Sequence, residues 1–341
     1  MAKKISHAQL MDWLASFVAE GKLFGPVKNS HRWQKLDNAN DIGCAFETVL
    51  SPKDIFFPQD ETMFDFDLRK PMETLSDATP EISDGAVLVG LHACDARALE
   101  LVYRVYNEGD YKDAYFNAAW NKMVRVAVGC TNPPKTCFCT SLVGGSPFGT
   151  QGVDILATPT GEDWILEPIT PRGTAIVAQF DDASASDMDM LAMAKKEATG
   201  KVDSSVPTEI ADNMWDLFNK DEFWFDIGNR CLGCGICTFV CPSCYCFDIN
   251  DEHIDEKARR YRTWDTCQFR QFTLEASGHN PRGTQKERIR QRMMHKLSFF
   301  ARRYDNTQLC VGCGRCVREC PVNIDIRAIA HGAGEELGVR K

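Results

Sequence analysis

The chain has 341 residues, 44% hydrophobic and 26% charged, the composition of a globular protein with room for two cores. No run approaches the roughly 20 apolar residues of a membrane helix, and Met1-Ala-Lys-Lys-Ile-Ser6 lacks the apolar core of an export signal, so a cytoplasmic protein without a membrane span is expected. The net charge of −9 is uneven: residues 251–341 hold 18 Lys/Arg against 12 Asp/Glu, which leaves −15 for residues 1–250. That balance argues against nucleic acid and suits an acidic protein partner at the C-terminal part.

Residues 6–20 read as a helix: Ser6 caps it, Leu10, Trp13, Leu14, Phe17 and Val18 share one face, and Gly21 ends it. Short strands and loops with aromatic filling follow to Pro58, and Cys44, with no cysteine neighbours, reads as a small buried hydrophobe. Gly85–His92 is an apolar run of strand length that feeds Cys94-Asp95, where Asp95 would cap a helix over Ala96–Tyr106. A second apolar strand, Val124–Gly129, ends at Cys130. The pair predicts a βαβ unit that delivers two cysteines to the C-terminal edge of a parallel sheet, where ligands bind in open α/β folds.

Cys137 and Cys139 follow at once, so Cys94, Cys130, Cys137 and Cys139 form a quartet suited to a [4Fe–4S] cube, with zinc as the alternative. The tail Gly144-Gly-Ser-Pro-Phe-Gly149 has neither a dinucleotide fingerprint nor a Walker lysine and reads as a turn folded around the metal. Residues 153–169 alternate as a β-hairpin about Gly161-Glu162. A polar bend over 181–187 leads to helices over Met188–Ala198 and Ile210–Lys220, which mark a domain boundary.

Next comes Cys231-Leu-Gly-Cys234-Gly-Ile-Cys237-Thr-Phe-Val-Cys241-Pro242, and later Cys310-Val-Gly-Cys313-Gly-Arg-Cys316-Val-Arg-Glu-Cys320-Pro321. Each reads C-x2-C-x2-C-x3-C-P, the run that wraps a [4Fe–4S] cube with three thiolates and sends the fourth to the other cube. Cluster 1 is therefore expected on Cys231, Cys234, Cys237 and Cys320, and cluster 2 on Cys310, Cys313, Cys316 and Cys241. Zinc sites pair two cysteines and lack the third evenly spaced one. Most of the 16 cysteines are thus assigned to metal, which implies a reducing compartment rather than disulfides.

Cys241 and Cys310 stand 69 positions apart, more than a two-cluster ferredoxin needs. The insertion contains Cys244, Cys246 and Cys267, one thiol short of a cube. They could hold a cluster with an outside ligand, shield the others, or compete with the N-terminal quartet for the third site. The insertion ends in a basic amphipathic helix over Thr284–Tyr304, whose apolar stripe would pack over the clusters with arginines solvated or offsetting cluster charge.

Together Gly90-Leu-His-Ala-Cys94-Asp-Ala-Arg-Ala-Leu99, Cys130-x6-Cys137-Phe-Cys139-Thr, Cys241-Pro-Ser-Cys244-Tyr-Cys246-Phe-Asp248, Arg262-Thr-Trp-Asp-Thr-Cys267 and Cys320-Pro-Val-Asn-Ile-Asp325 resemble the iron–sulfur beta subunit of cytosolic [NiFe] hydrogenases (sulfhydrogenases), and equally the A subunit of anaerobic sulfite reductase. The resemblance runs from about residue 25 to residue 330. It implies a 4Fe–4S dicluster protein with an added N-terminal cluster domain, relaying electrons between a flavoprotein reductase subunit that oxidises NAD(P)H and a catalytic oxidoreductase subunit of hydrogenase, sulfite reductase or heterodisulfide reductase type.

The expected architecture is α+β. An N-terminal α/β domain with a small mixed sheet spans 1–180, a helical connector 181–222, and a mostly helical, ferredoxin-like domain for two [4Fe–4S] cubes 223–341, with its insertion at 242–309. The expected cofactors are two cubes and a third on the N-terminal quartet. No acid/base or nucleophile constellation is visible, so a subunit not catalytic by itself is the first reading. An enzyme with its own flavin or cluster site near His92, Asp95 and Gly144–Gly149 is the alternative.

Overall fold

The computed structural model describes residues 1–43, 48–207 and 210–338; Cys44 lies outside them. Twelve strands are described: β1 Lys3–Ser6, β2 Leu23–Pro26, β3 Trp33–Lys35, β4 Asp60–Asp67, β5 Ser76–Asp77, β6 Val87–Leu91, β7 Val124–Val128, β8 Ile155–Thr160, β9 Asp163–Pro168, β10 Asp181–Asp182, β11 Phe247–Ile254 and β12 Lys257–Trp264. The protein is α+β, with two sheets. The first is mixed and eight-stranded, in the order β10-β1-β9-β8-β7-β6-β2-β3. Strands β2, β6, β7 and β8 run parallel at its centre, and antiparallel wings flank them. It is wider than the few strands read from the sequence, because β1 and β10 are too short and polar to show an alternation.

Alternation along the central strands sends successive side chains to opposite faces. Val87, Val89, Val124 and Val126 pack beneath Leu10, Trp13 and Leu14 of helix His7–Ala19. Leu88, Leu91 and Ala127 face Ala96, Leu99 and Val102 of helix Ala93–Tyr106. The helix expected at 6–20 is present, with Ser6 and Gln9 forming a reciprocal cap and Gly21 left-handed at φ +66°. Its neighbour after β6 starts three residues earlier than expected. His92 is its N-cap, and Asp95, in the first turn, accepts the His92 N–H at 3.3 Å. Cys94 therefore sits on the helix's first turn rather than before it.

The second sheet, β11-β12-β4-β5, was not anticipated. It joins a hairpin of the ladder insertion to a strand near the N-terminus, with Arg259 opposite Asp65 and Arg262 opposite Glu61. Arg262, only 1% exposed, pairs with Glu61 and Asp113, each at 2.5 Å. The helix expected over Ile210–Lys220 is instead a short helix, Ile210–Asn213, continued by a 3-10 turn to Leu217. The basic segment forms helix Gln285–Met294, a five-residue π stretch His295–Phe299 and a final turn Phe300–Arg303.

Candidate metal centres

The C-terminal ends of β6 and β7 deliver Cys94 and Cys130 side by side, since the two strands pair in parallel from Val87 and Val124. A tight return after Pro134, whose carbonyl accepts the Cys137 N–H at 2.9 Å, brings Cys137 back, and Cys139 opens a 3-10 turn. These four thiols line one cavity of about 280 Å³ with His92, Ser146, Pro147, Gly312 and Cys313. The Gly144–Gly149 tail wraps its rim: a Cβ on Gly145 would stand 2.0 Å from the Cys139 carbonyl oxygen, so only glycine fits. Burial pushes Cys137 up to about 12 and Cys139 to about 11. As bare thiols these groups hold their protons, and a bound metal must displace them.

Two other groups frame the cavity. Burial depresses His92 to about 4, and its Nδ1 lies 3.3 Å from the Val128 carbonyl oxygen, so the ring is neutral and donates from Nδ1. Asp95, fully buried, takes a forked pair of hydrogen bonds from Arg315 at 2.5 and 3.2 Å. Arg315 belongs to the second ladder, so this pair fastens the two cysteine regions together.

The ladders fold alike. Gly233, Gly235, Gly312 and Gly314 all take left-handed conformations, at φ +68°, +75°, +67° and +71°. Each loop then runs into a single helical turn, Ile236–Phe239 or Arg315–Arg318. Cys310, Cys313 and Cys316 share a cavity of about 330 Å³ with Cys241 of the other ladder, beside Phe138, Arg292, Lys296 and Ile326. The structure places Cys241 of the first ladder beside the three loop thiols of the second. In the first ladder, Cys231 Sγ accepts a hydrogen bond from the Gln285 side-chain amide at 3.2 Å, and in the second, Cys320 Sγ accepts the Ile324 N–H at 3.2 Å. Both cysteines pack on the same apolar layer as Trp224, Ile289 and Met293. Cys234 is exposed, and Leu232 beside it is 67% exposed.

The three leftover thiols do not converge. Cys244 hydrogen-bonds Cys241, and Cys246 hydrogen-bonds Cys267. Among the described residues no three His, Cys, Asp or Glu side chains group as ligands of one ion. A cube asks for something else, one thiolate on each iron around a shared space. Sequence reasoning missed Arg292 and Lys296 as lining residues and Gln285 as a sulfur-directed donor. The signal was there: 292 and 296 flank the apolar stripe Ile289, Met293, Leu297, Phe300.

A family described as 4Fe-4S dicluster domain matches residues 230–324. This is an iron–sulfur, electron-transfer protein. A protein of Pyrococcus furiosus (strain ATCC 43587 / DSM 3638 / JCM 8422 / Vc1), sulfhydrogenase 2 subunit beta, is 29% identical over 313 residues, covering 89% of this chain and 90% of that protein. The chain is similar to that subunit over most of its length. No solved structure matches. No helix among the described residues is long and apolar enough to cross a membrane.

Proposed function

We propose that the chain is a cytoplasmic electron-relay subunit holding three [4Fe–4S] cubes in series, with cluster 2 in the middle. Cluster 1 takes Cys231, Cys234, Cys237 and Cys320; cluster 2 takes Cys310, Cys313, Cys316 and Cys241; cluster 3 takes Cys94, Cys130, Cys137 and Cys139. The observation that carries this reading is the position of Gly312-Cys313, which lines both the cluster 2 cavity and the cluster 3 cavity. On the other side, Cys237 of the first ladder stands within electrostatic reach of Cys316 of the second. Fold and site support a serial order 1–2–3.

When bound, each cube would supply a one-electron couple whose potential depends on burial, charge and hydrogen bonds to sulfur. The chain's residues provide those three things. Phe138, Val311 and Ile326 keep water from the middle site. Gln285 and the Ile324 N–H direct hydrogen bonds at Cys231 and Cys320, two of the cluster 1 sulfurs, which disperses thiolate charge. Exposed Cys234 and Leu232 make the first-ladder loop the accessible end, where electrons would pass to or from a partner. The partners fitting this role are a flavoprotein reductase subunit and a catalytic oxidoreductase subunit of hydrogenase, sulfite reductase or heterodisulfide reductase type. The division into 1–180, 181–222 and 223–341 remains part of the proposal, with β12 of the insertion paired to β4 across it.

Reductive titration of the anaerobically isolated chain tests the reading. Three cubes should take up about three electrons with about twelve irons per chain. About eight irons and two electrons would remove the N-terminal station, and fewer than two redox-active cubes would overturn the relay. Turnover of NAD(P)H or another substrate by the chain alone would favour an enzyme in its own right.

A further inference from the structure

Three cations are buried around the middle site: Lys53, Arg292 and Lys296 are 4%, 3% and 2% exposed. Burying a cation without a counter-charge is strongly unfavourable, and Arg262 and Arg315 each meet carboxylates. Arg292 and Lys296 do not. Arg292 reaches the Cys237 carbonyl at 3.4 Å and the Met293 sulfur at 3.8 Å, and its Nε has no partner among the described residues. Lys296 donates to Ser243 Oγ at 2.9 Å, and that oxygen lies 3.5 Å from Cys241 Sγ. Both line the cavity of Cys241, Cys310, Cys313 and Cys316.

We propose that Arg292 and Lys296 are the fixed counter-charge of the middle cube and make it the highest-potential of the three stations. The inference rests on the relay reading. Adding an electron makes a cube more negative, so two uncompensated cations in its wall favour the reduced form. The N-terminal cavity differs: Arg315 beside it is already neutralised by Asp95, and none of the residues lining that cavity is an arginine or lysine. Lys296, in the π stretch of its helix, lies four positions after Arg292, so the two share one helix face. A middle station of high potential would hold the electron between two transfers and keep it from the exposed first-ladder loop.

The test is an EPR-monitored redox titration of the full chain carrying Lys296→Met, Arg292→Met or Lys296→Arg. Loss of either positive charge should make reduction of the middle cube about tenfold less favourable, a fall of about 59 mV, while the other two midpoints stay. Lys296→Arg should keep the original midpoint. Selective loss of the middle cube in both methionine variants, with retention in Lys296→Arg, would be the same requirement read as occupancy. An unchanged midpoint in the methionine variants, or an equal shift in Lys296→Arg, overturns the proposal. A wild-type chain with no cube at this site would instead overturn the relay reading, and iron analysis shows that before any potential is read.

Discussion

Asp95 and Arg315 stand 220 positions apart in the chain and meet with no solvent between them. Removing one partner of such a pair leaves a buried charge uncompensated. Asp95→Ala should therefore destabilise the cluster-loaded protein by about 3–5 kcal/mol in denaturant unfolding, whereas the double replacement Asp95→Leu with Arg315→Met should recover much of that loss. A single variant as stable as wild type would show the pair to be dispensable. Cys94 and Cys130 were legible because each closely follows an apolar strand-length run, with Cys137 and Cys139 a few residues beyond. The Asp95–Arg315 pair was not: nothing local to either residue marks it, since the pairing arises only when the second ladder closes on the N-terminal helix.

Gly312 is the contact point of two elements. It is left-handed at φ +67°, and a Cβ there would lie 2.6 Å from the Cys139 backbone nitrogen and Cα. Its carbonyl also accepts the Phe138 N–H at 2.9 Å. Gly312→Ala should push the second ladder off the N-terminal cavity, so that the cluster 3 signal is lost or decoupled while the first-ladder signal stays. An unaltered spectrum would mean the two cavities are not held together there. At the far edge of the sheet, Asp187 caps helix Ala185–Gly200 through Ser184 and pairs with Lys4 of β1 at 2.9 Å. These bonds, Ser184 first, hold its carboxyl down to about 2. Its contribution to stability is therefore complete above the ordinary carboxylate value and is lost as the pH falls toward 2. Asp187→Asn should flatten that part of the acid limb of a stability–pH profile, and an identical limb would exclude this role. Helices and central strands were readable from periodicity and caps. The β11–β12 hairpin was not, because its strands alternate charged residues whose partners, Asp60, Glu61 and Asp65, lie about 200 residues away in β4.

At the scale of the whole molecule, the insertion between the ladders does two jobs that spacing alone did not reveal. Its hairpin ties the ladders to strand β4 of the N-terminal part, and its basic helix turns Arg292 and Lys296 inward rather than to solvent. In the proposed relay, both would arrange three thiol sites in a line whose accessible end is the loop of Cys234. The order of that line is the central claim, and magnetic coupling between reduced clusters reports it most directly. In fully reduced wild-type protein, EPR should show three interacting spins. Cys94→Ala or Cys320→Ala, each removing a terminal cube, should leave a coupled pair, whereas Cys310→Ala, removing the middle one, should leave two uncoupled signals. Coupling that survives loss of the middle cube, or its absence from the wild type, would contradict the serial arrangement.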